Sequence, residues 1–135
     1  MADMRELLSA YLREEGYVPT PEGDRGILFK REGRTYFTFP DPGDPSFFNL
    51  YSYFDFADRV TGRAQALEAA NDINQAIKAL KVTLPDGSRV GQVSFGLEIP
   101  LPEPEGFRAV FDRALGTIAY GVEQFVARLD ARRAA

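Results

Sequence analysis

The sequence predicts an α+β domain, a mostly antiparallel five-stranded sheet carrying three helices, in the order α-β-β-β-α-β-β-α. Three observations lead there. Apolar residues recur at helical spacing in three stretches, about 3–15, 63–80 and 105–131. Two pairs of β-prone runs flank short glycine turns, at Glu32-Gly33 and Asp86-Gly87, as hairpins require. No repeat, low-complexity tract or linker divides the 135 residues, so 1–135 reads as a single domain.

Met4, Leu7, Leu8, Tyr11 and Leu12 mark one face of the first helix, and Gly16 stands where a capping glycine belongs. The next stretch, YVPTPEGDRG, carries two prolines and two glycines and reads as turns. ILFKREGRTYFTF forms the first hairpin. Three prolines and a glycine in PDPGDPS, residues 40–46, force a loop. A third strand, about 47–56, follows in SFFNLYSYFDF.

RAQALEAANDINQAIKAL, residues 63–80, is rich in good helix formers. Leu67, Ala70, Ile73, Asn74, Ile77 and Leu80 define its inner stripe. KVTLPDGSRVGQVSFGLEI is the second hairpin. Val93, Phe95, Leu97 and Ile99 alternate with Gln92, Ser94, Gly96 and Glu98, so this strand buries one face. Pro100, Pro102 and Pro104 end it. The last helix keeps its apolar period from Phe107 to Leu129, long enough to roof the sheet.

Composition excludes several chemistries. The chain has no cysteine and no histidine. Thiol catalysis, zinc-thiolate sites and Ser-His or Cys-His nucleophiles are therefore impossible within it. No P-loop, G-x-G-x-x-G or G-x-S-x-G pattern occurs. The formal net charge of −4 opposes direct nucleic-acid binding and suits a basic protein partner. Arg128, Arg132 and Arg133 read as cations at a helix C-terminus. FKREGRTYF interleaves basic and aromatic residues as a single-strand binder does, but Glu32 interrupts it and a charged hairpin tip is ordinary. No eighteen-residue apolar stretch exists to span a membrane. The N-terminus, MADMRELLSAYLREEG, lacks the n- and h-regions of a signal peptide. Absence of cysteine favours a cytoplasmic location.

The third strand is the candidate site. It places six rings within residues 46–56. By alternation Phe48, Leu50, Ser52, Phe54 and Phe56 share the core face. Phe47, Asn49, Tyr51, Tyr53 and Asp55 share the other. Rings beside polar groups suit a surface that is dry on one side and wet on the other. The competing reading lays helix 63–80 over these rings and makes them core. Tyr36 or Phe37 on the neighbouring strand extends the patch, with Tyr36 preferred. The predicted partner-binding residues are therefore Tyr36, Phe47, Tyr51 and Tyr53.

Asp41 and Asp44 in the PDPGDPS loop, with Asp55 and Asp58 further along, form no EF-hand pattern. A carboxylate pair for glycoside hydrolysis would want sugar-stacking tryptophans, and the chain has none. A solvated loop is the plain reading. No metal or cofactor is expected.

Three stretches, EGYVPTPEGDRGILFKREGRTYFTF, DPSFFNLYSYF and AANDINQAIKALKVTLPDG, together with the element order, resemble the YbjN-like family. The third is the most specific, with Asn71 and Asn74 followed by Lys78 and Lys81 on the way into a strand. The resemblance implies the fold of type III secretion chaperones, which are small, acidic, cytoplasmic and usually homodimeric proteins holding a segment of a client. It implies protein binding without catalysis. Asn71 and Asn74 match family positions, and an asparagine on a helix edge most often bonds nearby backbone. The expected function is a non-enzymatic, chaperone-like module gripping a partner on the aromatic face. Two alternatives stand beside it: a regulatory adaptor whose dimer interface uses that face, and a small-molecule or hydrolytic domain built on the Asp-rich loop.

Overall fold

The structure, a computed structural model, describes residues 3–56, 62–85 and 91–134. Helix α1 (Met4–Glu14) starts at Asp3, whose carboxylate accepts the Arg5 N–H at 3.0 Å. It closes in a Schellman turn. Gly16 takes φ 91° and donates to the Arg13 carbonyl, and the Tyr17 N–H donates to that of Leu12.

Six strands follow rather than five. The added strand, β1 (Thr20–Glu22), lies in the proline-rich stretch expected to be all turn. It pairs antiparallel with β2 (Gly26–Arg31) at the edge of the sheet, a position where Pro21 needs no N–H of its own to continue a ladder. β2 turns into β3 (Arg34–Thr38) through Glu32 and Gly33, both at positive φ, 51° and 77°. That two-residue turn sets Phe29 opposite Tyr36. β4 (Phe47–Asp55) is the aromatic strand.

α2 (Arg63–Ala76) stops four residues short of its predicted end. The Asn74 side chain explains the early stop. Its amide donates to the Val82 carbonyl at 3.0 Å and accepts the Val82 N–H at 2.8 Å. The chain must therefore reverse between residues 74 and 82, and Ala79 at φ 66° makes the bend. Asn74 has the structural role expected of it. β5 (Lys81–Thr83) then pairs with β6 (Gln92–Pro100). The Asp86-Gly87 turn lies outside the described residues. A 3-10 turn at Pro104–Gly106 leads into α3 (Phe107–Ala134).

The sheet runs β1-β2-β3-β4-β6-β5, antiparallel throughout. α1 and α3 pack on one face of it. Phe107 and Phe111 of α3 meet Tyr11 from α1 and Phe48 from β4, and Phe125 meets Phe95 of β6. α2 buries Ala66, Ala69, Ala70 and Ile73. Small side chains let it lie close to α3, where Arg128 stands 3.8 Å from Asp72. Leu67 is consequently exposed, although its spacing placed it on the inner stripe. Among the described residues no helix is long and apolar enough to cross a membrane.

Candidate functional site

With all three helices on one side, the other face of the sheet has no cover among the described residues. One row of residues crosses all six strands there: Thr20, Leu28, Phe37, Tyr51, Gly96 and Lys81. Beside it Tyr53 pairs with Ser94, and Phe39 stands just past the end of β3. Phe37, Phe47 and Tyr51 are half-buried, while Phe39 and Tyr53 are each 36% exposed. α2 does not fold over these rings, because it lies against α3 and β5.

The rings pack sideways on one another. Phe37 meets the edge of Tyr53 at 5.2 Å between centroids and stacks in parallel with Phe39 at 6.3 Å, and Phe39 meets Tyr51 at 5.9 Å. Two glycines keep the layer thin. A Cβ on Gly26 would come within 2.8 Å of the Phe39 ring, and one on Gly96 would overlap Tyr51. Phe39 and Tyr51 thus lie across neighbouring strands, and with the rings they touch they form a low aromatic pavement.

A polar corner borders the pavement. The Tyr51 hydroxyl donates to Glu98 Oε2 at 3.0 Å, and the Lys81 ammonium pairs with the same carboxylate. The hydrogen bond from Lys81 holds the Glu98 carboxyl below its ordinary value. Burial, and then the bond to Glu98, push the Tyr51 hydroxyl well above its ordinary value, and burial raises that of Tyr53. Both tyrosines stay neutral across the physiological range, as an apolar contact surface needs.

β3 and β4 share one register pair, Phe37 with Tyr51, and side chains complete the seam. Ser52 donates to the Thr35 carbonyl at 2.9 Å, and Thr38 donates to that of Asn49 at 2.7 Å. The Asn49 amide binds both the N–H and the C=O of Phe39 at 2.7 and 2.9 Å. Phe39 is thereby anchored by its backbone while its ring stays in the open layer.

Phe47, Tyr51 and Tyr53 lie on the open face as β4 alternation requires. Tyr36 does not. It is 1% exposed and stacks on Phe29 at 5.6 Å in the core. The physical reason is parity: the Glu32-Gly33 turn fixes Tyr36 opposite Phe29, whose ring packs on Phe111. Phe37 occupies the open face in its place. Leu28 and Phe39 also belong to the layer and were missed. The alternation of exposed Lys30 with buried Phe29, carried across that turn, is the signal that finds Phe37 and Leu28.

The Asp-rich loop forms no cluster. Asp41 accepts the Gly43 N–H at 2.9 Å and faces Arg25 at 3.5 Å, which makes it a turn-forming residue. Asp58 lies outside the described residues. Among those described, no group of three metal-ligating side chains comes together.

No family model matches the chain, and no curated protein matches it in sequence. Among solved structures it is similar to the crystal structure of YbjN, a proposed transcription regulator from E. coli. The TM-score is 0.60 at 12% identity, over 95% of this chain and 90% of that one. The chain therefore has the YbjN-like fold that its three short motifs resemble.

Proposed function

We propose that the protein is a non-enzymatic binding module that holds a segment of another protein on the open sheet face, through Phe37, Phe47, Tyr51 and Tyr53. The observation that carries this reading is the aromatic pavement itself, several half-exposed rings left uncovered while three helices crowd the opposite face. Contiguous apolar patches of this kind mark interaction sites. Removing about 400 Å² of apolar surface from water at roughly 25 cal/mol per Å² gives on the order of 10 kcal/mol gross. Association costs of about 4–15 kcal/mol oppose it, so at most about 6 kcal/mol remains, which is weak, reversible binding of tens of micromolar at its tightest. The acidic net charge of −4 favours a basic partner. We place the protein in the cytoplasm as a homodimer whose subunits pair elsewhere.

The test is affinity capture from the native cell extract with mass spectrometry, repeated with the triple variant Phe37→Ser, Tyr51→Ser, Tyr53→Ser. Captured partners are expected to vanish with the triple variant, while sedimentation shows unchanged dimers. A triple variant that becomes monomeric would instead assign the pavement to the dimer interface, and the protein to the regulatory adaptors. Undiminished capture would remove the pavement from the binding site.

A further inference from the structure

On the helical side of the sheet, away from the pavement, a groove of about 440 Å³ opens between the end of α2, the middle of α3 and β6. It exists because α2 ends early and β5 is short. The β5–β6 ladder stops at Lys81 opposite Gly96, so the last residues of β6 run on without a neighbour on that side. Leu97, Ile99, Val110 and Ala114 form an apolar floor. Two cations, Lys78 and Arg113, stand at its margin, both exposed. Among the described residues neither has an ion-pair partner, in a protein with a net charge of −4.

The chemistry of the walls selects the occupant. An added peptide strand needs a row of free N–H and C=O groups. The Leu101 N–H donates to the Ser46 carbonyl on the β4 side, so by alternation Glu98 and Pro100 turn their backbone to the open edge. Pro100 has no N–H, and the Lys81–Glu98 ion pair straddles the strand ends. Proline and charge at this position blunt strand addition. The Thr117 hydroxyl, a further donor in the wall, already bonds the Arg113 carbonyl at 2.8 Å. What remains is an apolar trough with unspent positive charge at its margin. That combination fits a ligand with a single anionic head and a long hydrocarbon tail, and the volume lies in the range of small-molecule sites.

We propose that this groove binds a single-chain fatty acid, its carboxylate between Lys78 and Arg113 and its tail over Leu97, Ile99 and Val110. The site is separate from the pavement and does not depend on the protein-binding reading.

The test titrates the full chain with octanoate, decanoate and dodecanoate below their micellar concentrations, by calorimetry and by amide NMR shifts. Affinity is expected to rise roughly fourfold per added methylene until the groove is full. Decanol should bind at least about tenfold more weakly than decanoate, because it lacks the charge that the two cations recognise. Lys78→Ala with Arg113→Ala, two exposed positions, should reduce decanoate affinity by a similar factor. Tyr51→Ser with Tyr53→Ser should leave it unchanged. The shifts should fall on residues 76–79, 97–99 and 110–117. Equal binding of decanol and decanoate, or loss of binding with the tyrosine pair instead of the cation pair, overturns the proposal. So does no binding up to about millimolar ligand.

Discussion

At the scale of single residues the open face depends on two absences of side chain. Tyr51 can lie across β6 only because residue 96 has no Cβ. Gly96→Ala should push the ring off the sheet and cost about 1–3 kcal/mol in urea denaturation, the usual range for overpacking. The same substitution on a Tyr51→Ala background should cost much less, since the clash has gone. A double-mutant cycle reads that difference directly. Glu98 gives a second residue-scale prediction. Its carboxyl titrates below the ordinary 4.5 in the folded chain, so its contribution is present above that value and is lost as pH falls through the lower folded value. Between about pH 6 and about pH 3 the wild type should therefore lose more stability than Glu98→Gln, and the two should converge at the acid end. Parallel curves would mean that the Lys81–Glu98–Tyr51 corner is not formed in solution. Much of this scale was legible beforehand. The period of two in β4 separated Phe48, Leu50 and Ser52 from Phe47, Tyr51 and Tyr53. Tyr36 was misplaced because TYFTF sets two rings side by side, and alternation alone gives no parity. The two-residue turn does give it, once Phe29 is recognised as buried.

At the scale of elements the recurring device is an asparagine amide that takes the place of a missing strand. Asn49 binds both backbone groups of Phe39 beyond the end of β3, and Asn74 does the same for Val82 on the outer edge of β5. Each amide closes a ladder position that would otherwise be left to water, and at β5 it also caps an edge open to strand addition. Asn74→Ala should cost about 1–3 kcal/mol, because it leaves two edge groups without partners, and it should loosen α2 against β5. Native-state hydrogen exchange at Val82 should quicken sharply, while that of Phe95 at the sheet centre should move only with the global stability. Equal acceleration at both amides would show that the clamp carries no local role. These amides also mark where sequence periodicity runs out. Ile77 and Leu80 continue the helical spacing of α2, yet the chain leaves the helix at Ala76 because Asn74 draws β5 back alongside it. β1 was hidden for a different reason: prolines and glycines that signal turns are also what an edge strand tolerates.

At the scale of the whole molecule most of the aromatic residues fall into two sets, one on each side of the sheet. Phe29, Tyr36, Phe48, Phe95, Phe107, Phe111 and Phe125 fill the layer between sheet and helices. Phe37, Phe39, Phe47, Tyr51 and Tyr53 pave the outside of the same sheet, where they lose less water on folding and, under the proposed function, keep more to exclude on binding. A domain of this length has only about 5–15 kcal/mol of stability to lose, so the two sets should behave very differently when truncated. Tyr36→Ser empties a fully enclosed site and strands its surroundings; the expected cost is about 3–5 kcal/mol, enough to unfold a large fraction of the chain near physiological temperature. The triple variant Phe37→Ser, Tyr51→Ser, Tyr53→Ser removes cross-strand contacts worth about 0.2–1 kcal/mol each and should leave a cooperative transition with an unchanged denaturant slope. Partner capture should follow the reverse order. It should be lost in the triple variant, which still folds, and retained by whatever fraction of Tyr36→Ser remains native. If the triple variant instead unfolds as readily as Tyr36→Ser, the outer rings belong to the core of a larger assembly, and the second layer they await is a permanent subunit rather than a transient partner.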